Sequence, residues 1–366
     1  MTENIVLEQA GCVVVEWVTR YGARVPARFH SVEEEYWALK EAAGLIDLSH
    51  RGKLLVRGPD APRFLHGMVS NEIKGLPPGR GNYAFFLNVH GHIQADARIL
   101  RLDDNSFLID CDRARLDTVR QILDRHIIAD DVEIVDQTAS LACLAVEGPC
   151  ALEVLRGAIG FDPPHMLPLE HLEVPDLGLR MARASISGEF GYWLWGEPQP
   201  LAALWKKSAT EGAPIGVRPV GLLASEICRI EAGIPRCDAE ITDKTLPQET
   251  GQLHAISFHK GCYLGQEIVE RIRARGHVNR KLVGLLFNGP QPVEPGAELL
   301  ADGQPVGRVT SAAYSYGLRR TIALAMVRTE SSEAGTFLLA AGAEGKLETE
   351  VAALPFFYPM ARTRPF

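Results

Sequence analysis

Three absences narrow the interpretation of this 366-residue sequence before any motif is considered. No stretch approaches the roughly 18–20 continuous apolar residues of a membrane-spanning helix. Basic residues are not in excess, since 38 Lys and Arg face 46 Asp and Glu for a formal net charge of −8, which argues against a general nucleic-acid coat. The first ten residues show no basic stretch followed by an apolar one, so no secretory signal is predicted. We therefore expect a soluble cytoplasmic protein with neither a membrane nor a nucleic acid as direct partner.

Cysteine pairs are absent as well. The seven cysteines are odd in number and none forms a C-x-x-C pair, so neither a zinc ribbon nor a thioredoxin motif is present. A disulfide framework is not expected in a long chain without an export signal. We expect most of these thiols to be small buried hydrophobic groups, and we predict no metal site.

An internal repeat is the clearest organisational feature. The segment 55–67 (LVRGPDAPRFLHG) is echoed by 145–157 (AVEGPCALEVLRG), with Val, Gly-Pro, Ala, Leu and Gly at the same offsets, 90 residues apart. Each copy predicts a strand, a Gly-Pro turn and a short helix that ends at glycine. The repeat indicates two related α+β units, although a chance similarity of two Gly-Pro turns explains the pattern equally well.

Strand and helix patterns alternate through the first part of the chain and then change. In the first unit, the predicted order of strand, helix, strand, strand, helix, strand is typical of the ferredoxin-like split βαβ motif. Past about residue 280, short strand-like runs separated by turns predict a small barrel or sandwich of roughly 80–90 residues.

A cysteine in a glycine-rich, basic segment is the strongest local motif. It reads Lys260-Gly-Cys-Tyr-Leu-Gly-Gln-Glu267 and is followed by Arg271, Arg273 and Arg275. Positive charges near Cys262 favour its thiolate, so the residues indicate a reactive or ligand-binding thiol. A tight turn that caps a following helix, with the cysteine merely packed, explains the same residues.

The longer segment 256–271 (ISFHKGCYLGQEIVER) resembles the signature of the YgfZ family. These are folate-binding proteins related to the glycine-cleavage T protein (aminomethyltransferase) and to mitochondrial iron–sulfur assembly factors. The resemblance covers nearly the whole chain from about residue 30. Further similar blocks are 47–50 (DLSH), 83–88 (YAFFLN), 188–192 (GEFGY), 229–235 (RIEAGIP) and 323–328 (ALAMVR).

This resemblance implies an α+β fold with two ferredoxin-like lobes and a C-terminal β-barrel around a central folate site. It implies a discontinuous folate-binding lobe at 1–57 and 139–279, an inserted ferredoxin-like lobe at 58–138, and the barrel at 280–366. Tetrahydrofolate or a derivative is the implied cofactor.

The resemblance also implies a set of cofactor-binding residues. Glu189 matches a glutamate that holds the pterin of T proteins, where a carboxylate can accept two parallel N–H bonds. Tyr83 matches a tyrosine that lies against the folate. Arg229 would either meet the negatively charged folate tail or pair with Glu231, and Lys260 completes the set. From the residues alone, Glu189 is better interpreted as a strand-end residue of a hairpin, and Tyr83 is equally a core tyrosine.

Asp96 is the residue on which the function depends. T proteins carry an Asp-Asp pair after a glycine-rich turn, and residues 91–96 (GHIQAD) keep the second aspartate with Ala95 in the first place. The resemblance implies that Asp96 lies near the folate nitrogens, where it can organise charge during one-carbon transfer. Solvent is the alternative destination for an aspartate on a half-buried strand. Asp96 and Cys262 are thus the candidate catalytic residues.

Two functional hypotheses follow. The cysteine motif favours a tetrahydrofolate-binding YgfZ-type protein that supports iron–sulfur enzyme maturation or repair, and thereby tRNA modification, with those enzymes or assembly proteins as partners. One cysteine cannot hold an iron–sulfur cluster, since four protein ligands are usual, so a cluster would need a partner. Asp96 and Glu189 favour a tetrahydrofolate-dependent aminomethyltransferase. Three residues oppose that hypothesis: Ala95, Cys262, and Ser225, which stands at a position where T proteins usually have arginine. A folate-fold scaffold without chemistry is the third option.

Overall fold

The computed structural model describes residues 4–342 and 345–356. Among these residues, no helix is long and apolar enough to cross a membrane. The helices are α1 (Ile5–Ala10), α2 (Val32–Glu41), α3 (Ala61–Met68), α4 (Leu116–His126), α5 (Ala151–Ile159), α6 (Pro198–Gly212), α7 (Leu222–Glu231) and α8 (Gln266–Arg275). The strands are β1 (Glu16–Arg20), β2 (Ala23–Arg28), β3 (Gly44–Asp47), β4 (Gly52–Arg57), β5 (Gly81–Leu87), β6 (Ile93–Arg101), β7 (Ser106–Cys111), β8 (Glu133–Asp136), β9 (Ala142–Glu147), β10 (His171–Val174), β11 (Leu179–Arg183), β12 (Gly191–Gly196), β13 (Arg218–Pro219), β14 (Arg280–Phe287), β15 (Glu298–Ala301), β16 (Gln304–Ser315), β17 (Arg320–Arg328), β18 (Phe337–Gly342) and β19 (Gly345–Ala352).

A five-stranded antiparallel sheet in the order β5-β6-β7-β4-β8 forms one lobe. Helices α3 and α4 pack on the sheet through side chains such as Phe64 and Leu123, which join the same buried core as the strands. Four of the strands and the two helices reproduce the predicted split βαβ order, and β5 is an additional edge strand. The first strand of the sheet precedes residue 58, where we predicted the inserted lobe to begin; the domain boundaries stay a prediction.

A six-stranded sheet in the order β10-β11-β12-β9-β3-β13 forms the second lobe. Its pairings are antiparallel except that of β13 with β3. The core on one face includes residues of α1, α5 and α6. The core on the other face contains Trp193 and Trp195 together with residues of α2 and α7, and it also takes in Leu100 and Leu108 of the five-stranded sheet. The two sheets therefore share a buried layer.

The internal repeat of the sequence has a counterpart in the backbone. Gly58 and Gly148 adopt nearly the same φ, +134° and +132°. Each donates its amide to a carbonyl of a neighbouring strand or turn, Gly58 to Asn105 at 3.0 Å and Gly148 to Phe190 at 2.7 Å. In both copies the amide three residues later donates back to the glycine carbonyl, at 3.0 and 3.1 Å. Such detailed agreement favours related units over a chance similarity.

The C-terminal strands close into a barrel in the order β14-β17-β16-β15-β18-β19, with β19 pairing with β14. The short strand-like runs of the sequence predicted either a barrel or a sandwich, and the structure shows a closed barrel. Ile230 of α7 packs against Ile322 and Leu324 of β17, which joins the barrel to the lobes. The predicted α+β fold with a C-terminal barrel is confirmed. Residues 357–366, which end the predicted barrel segment, lie outside the described residues.

Candidate functional site

A cavity of about 500 Å³ lies between the two sheets, α7 and the segment that follows α7. This volume falls within the range usual for small-molecule sites. The cavity wall combines apolar side chains with several arginines, two aspartates and a glutamate. It therefore suits a ligand that is partly aromatic or aliphatic and partly charged.

One wall of the cavity is formed by β5 and β6. Side chains along β6 alternate between buried and partly exposed positions, as expected for a strand with one face in a core. Asp96 and Arg98 belong to the partly exposed set and line the cavity, and Tyr83 lies opposite Arg98 on β5. Ala95 belongs to the other set and is fully buried in the core beneath α3 and α4.

Two neutral donors hold the Asp96 carboxylate. The Tyr83 hydroxyl donates to Oδ2 and the Cys237 thiol donates to Oδ1, both at 2.9 Å. Burial, reinforced by the negative charge of Asp96, raises the pKa of Tyr83 and of Cys237 well above their ordinary values. Both groups therefore keep their protons at neutral pH and fix the carboxylate in place. The other side of Tyr83 is occupied by His254, whose ring stacks on it at 5.5 Å.

A second aromatic pair lines the cavity near the N-terminal hairpin. Tyr21 has φ +58° in the tight turn between β1 and β2, where it is followed by Gly22 at φ +72°. Its ring stacks on His50 at a centroid distance of 5.7 Å. Burial raises the pKa of Tyr21 to about 12 and lowers the pKa of His50 to about 3, so both rings are neutral at pH 7. They offer a flat apolar surface to a ligand.

Arg229 lines the cavity, but its hydrogen-bonding capacity is used within the protein. Its guanidinium donates five hydrogen bonds, which is the number of its N–H groups. The acceptors are Glu226, Glu240, the carbonyl of Ile234 and the Ser311 hydroxyl. Neither expectation for Arg229 is met, because its carboxylate partners are not Glu231 and no donor is left for a folate tail. Arg229 instead links α7, the following segment and the barrel.

Glu189 does not line the cavity. We expected it to face the ligand, but its carboxylate forms an ion pair with Lys40 at 2.7 Å. Lys40 also forms an ion pair with Glu231 at 2.7 Å, so Glu189 belongs to a buried charged cluster behind the site. Burial raises the pKa of Glu189 despite the nearby Lys40 charge. This geometry does not support Glu189 as a pterin ligand.

Lys260 has a structural position rather than a ligand-facing one. Its ammonium donates to the carbonyls of His66, Val69 and Asn71 at 2.5, 2.7 and 2.6 Å. Burial lowers the pKa of Lys260 to about 7. The contacts tie this segment to the chain that leaves α3.

Cys262 is exposed and lies outside the cavity. Two of the three arginines expected near it have other partners, since Arg271 pairs with Glu267 and Arg273 with Glu270. The side chain of the third, Arg275, lies outside the described part of the structure. Of the two candidate catalytic residues, Asp96 therefore lines the cavity and Cys262 does not. Its exposure leaves it accessible to a partner.

Metal binding has little support in the described part of the chain. No group of three or more His, Cys, Asp or Glu side chains there is arranged to hold a metal ion. All seven cysteines are free and Cys262 alone is exposed. These residues do not fit an iron–sulfur cluster held by this chain itself.

Sequence reasoning missed most of the cavity wall, and four of the missed residues illustrate the different reasons. Arg98 could have been found, because it lies two residues from Asp96 on a strand and must share its face. The Tyr21-Gly22 pair between two strand-like runs was a detectable turn signal. His50 and Cys237 carry no local signal, since segments distant in sequence bring them to the cavity.

Comparisons with known proteins agree with this architecture. The family model described as GCVT N-terminal domain matches residues 6–260, and that described as Glycine cleavage T-protein C-terminal barrel domain matches residues 280–357. The aminomethyltransferase of Bacillus subtilis (strain 168) is 30% identical over 340 residues, which covers 92% of this chain and 93% of that protein. The aminomethyltransferase of Streptomyces avermitilis is 31% identical over 345 residues, covering 92% of each chain.

Among solved structures, the glycine cleavage system aminomethyltransferase T from Bartonella henselae superposes with a TM-score of 0.88 at 24% identity. The match covers 97% of this chain and 96% of that one, and it supports the same fold. The matches do not bear out the narrower YgfZ resemblance, but the two family models cover nearly the whole length. The chain belongs to the glycine-cleavage T-protein family.

Proposed function

We propose that this chain binds tetrahydrofolate in the central cavity and uses it in one-carbon transfer, as a T-protein-like aminomethyltransferase. Relatives named aminomethyltransferase match this chain over more than nine tenths of their own length. The observation that carries the proposal is the Asp96 carboxylate, which lines the cavity and is held by the Tyr83 hydroxyl and the Cys237 thiol.

The environment of Asp96 suits charge stabilisation. Because both neighbours donate to it, the carboxylate keeps one orientation without waiting for a ligand. A fixed negative charge can stabilise positive charge that develops on a nitrogen during transfer, or accept a proton from it. When bound, the folate supplies the nitrogen that carries the one-carbon unit. Tyr83 and the stacked rings of Tyr21 and His50 would hold its aromatic parts.

The substitution at position 95 does not oppose this proposal. Ala95 points into the apolar core between the sheet and its helices, on the opposite face of β6 from Asp96. A carboxylate at position 95 would be buried there without contact with the cavity. Loss of the first aspartate of the pair therefore leaves the cavity wall unchanged.

The test combines folate binding with turnover. We expect calorimetry to detect tetrahydrofolate binding, and we expect the protein to form methylene-tetrahydrofolate from an aminomethyl-lipoyl carrier protein. Asp96→Asn should lower turnover about 100-fold or more, as is typical for a lost charged catalytic group, without changing the melting temperature greatly. Cys262→Ala, an exposed position outside the cavity, is the matched control and should retain activity.

A second function is favoured by the segment 260–267 and by the exposure of Cys262. In this alternative the chain is a folate-binding YgfZ-type protein that supports iron–sulfur enzymes in the cytoplasm, and thereby tRNA modification. Cys262 would then act on a partner, because it faces solvent and the chain offers no further thiol beside it at the surface.

The two functions give opposite results for the same pair of variants. Under the second function, deletion of the gene should reduce iron–sulfur enzyme activity in cells, and Cys262→Ala should fail to restore it while tetrahydrofolate still binds. Turnover that survives Cys262→Ala but not Asp96→Asn would exclude the assembly function as the main one. Absence of turnover together with a Cys262 requirement would exclude the transferase.

A further inference from the structure

Five arginines line the central cavity, and they divide into two groups. Arg51, Arg229 and Arg236 form ion pairs with carboxylates of the protein. Arg98 and Arg183 form no ion pair with any carboxylate that the structure describes. The cavity wall thus carries two guanidinium groups whose charge the described protein does not neutralise by direct contact.

Arg98 is oriented but not neutralised. One of its N–H groups donates to the carbonyl of Ser185 at 2.9 Å, and its guanidinium lies 4.1 Å from the ring centroid of Trp193. Arg51 approaches the same ring at 5.2 Å, so a second positive charge is close by. Burial and the Arg51 charge lower the pKa of Arg98 from its usual value, although the nearby Asp110 and Asp96 carboxylates, which form no ion pair with it, act in the opposite direction. A guanidinium group nevertheless stays charged at neutral pH.

Arg183 is held in a similar way. It donates to the carbonyl of Met166 at 3.2 Å and lies 4.2 Å from the ring centroid of Phe190. Arg183 ends β11 and lies two residues before Ser185, whose carbonyl accepts the hydrogen bond from Arg98. Arg183 therefore belongs to the same stretch of cavity wall that Arg98 contacts through Ser185.

A partly buried positive charge without a direct counter-ion is unfavourable unless a ligand supplies the anion. The planar fork of a guanidinium matches a carboxylate, which it can bind through two parallel N–H bonds. We propose that Arg98, with Arg183 beside it, binds a carboxylate of the ligand that occupies the cavity. This inference rests on the proposed function and adds a carboxylate to the chemical groups that the folate cavity binds.

Two sources can supply the carboxylate: the glutamyl tail of folate, or a small carboxylic acid that binds beside the folate. Arg98 and Asp96 share a face of β6 two residues apart, which separates their backbones by about 6.6 Å. That spacing favours a small carboxylic acid bound next to the reacting end of folate over the more distant glutamyl end of folate itself.

Calorimetric titration of four variants tests the site: Arg98→Gln, Arg98→Lys, Arg183→Gln and the surface control Arg120→Gln. The probes are N-methylglycine, methylamine (its counterpart without the carboxylate), tetrahydrofolate, and tetrahydropterin, which lacks the tail. We expect Arg98→Gln to weaken N-methylglycine binding about 10- to 100-fold, as for a lost charge-assisted pair, with Arg98→Lys intermediate and Arg120→Gln unchanged. Methylamine binding should not respond.

The remaining outcomes separate the sources of the anion. If Arg98→Gln weakens tetrahydrofolate but not tetrahydropterin, the carboxylate comes from the folate tail and the site still stands. Two results overturn the inference. In the first, N-methylglycine and tetrahydrofolate bind to the folded Arg98→Gln and Arg183→Gln variants as tightly as to the wild type. In the second, N-methylglycine does not bind the wild type, and tetrahydrofolate binding is unchanged in both variants. Failure of the proposed function is distinct, since it is read from Asp96→Asn turnover.

Discussion

At the scale of single residues, Asp47 shows how the site region tolerates an unfavourable group. It ends β3 and is 6% exposed. Oδ1 accepts the Ser49 amide at 2.9 Å, but Oδ2 has no hydrogen-bond partner among the described atoms. Burial raises the pKa of Asp47 from 3.8 to about 6, since the charged form is poorly solvated there. The carboxylate is therefore costly to the fold at neutral pH.

The pH dependence of this cost can be measured with Asp47→Asn. Between pH 3.8 and about 6 the folded state holds a proton that the unfolded state has lost, so the contribution of Asp47 to stability falls as the pH rises. Above about pH 6 Asp47 is ionised in both states, and the folded protein bears the full free-energy cost of the buried charge. We expect Asp47→Asn to raise the free energy of unfolding by about 1–3 kcal/mol at pH 7.5 and to give little gain at pH 4. Urea denaturation at both pH values measures this.

The exposed Asp104→Asn is the control for Asp47→Asn, and it should change stability little at either pH. An Asp47→Asn protein that is destabilised equally at both pH values would contradict the argument, because an effect that does not depend on pH cannot come from the charge of the carboxylate.

The same scale shows which site residues a sequence can reveal. Asp96 and Tyr83 were identified from motifs, and strand alternation explains why they face one cavity. The surroundings of Glu189 were not predictable from its motif, because Lys40, which forms an ion pair with it, is distant in sequence. Cys237 was missed for the same reason, since its contact with Asp96 joins residues 141 positions apart. Long-range contacts of this kind leave no local pattern.

At the scale of elements, the repeated Gly-Pro turn is the feature that ties sequence to fold. In each copy the glycine ends a strand and lets the chain enter a helix, at a φ that side chains rarely adopt. A Cβ at Gly58 would lie 2.2 Å from the carbonyl oxygen of Asp131, and one at Gly148 would lie 2.6 Å from that of Ala42. Both backbone conformation and close packing therefore require glycine.

Alanine substitutions separate this requirement from ordinary helix propensity. Gly58→Ala and Gly148→Ala should each lower the free energy of unfolding by about 2–3 kcal/mol, because the added methyl meets a backbone carbonyl at a strained φ. Gly67→Ala, within α3 and with no atom within 4 Å of the added Cβ, should be neutral or stabilising by up to about 1 kcal/mol. Urea denaturation of the three variants checks this. A loss at Gly67 as large as at Gly58 would contradict the explanation.

At the scale of the whole molecule, the order of elements was accessible from the sequence and their assembly was not. Short strands separated by turns indicated the barrel, and the repeat indicated two units. The pairing of β3 between β9 and β13 was not predictable, because it joins Leu45 to Val146 on one side and to Pro219 on the other. The cavity depends on this assembly, since both sheets and the segment after α7 contribute to its wall.

Arg229 provides the test of how the barrel and the lobes are coupled. It joins Glu226 of α7 to Glu240 and to Ser311 of β16, and both its side chain and that of Glu240 are buried. Arg229→Met would leave Glu240 buried without its charged partner, which is expected to lower the free energy of unfolding by about 3–5 kcal/mol.

Because Ser311 lies in the barrel, the loss of Arg229 should also weaken the link between the barrel and the two sheets. We expect differential scanning calorimetry to resolve two transitions for Arg229→Met where the wild type gives one. Arg328→Met, which removes an exposed arginine with a single ion pair at 3.9 Å, should keep one transition and change stability by about 0.5 kcal/mol or less. A single transition for Arg229→Met, shifted no further than that of Arg328→Met, would show that apolar contacts such as Ile230 with Leu324 couple the barrel without it.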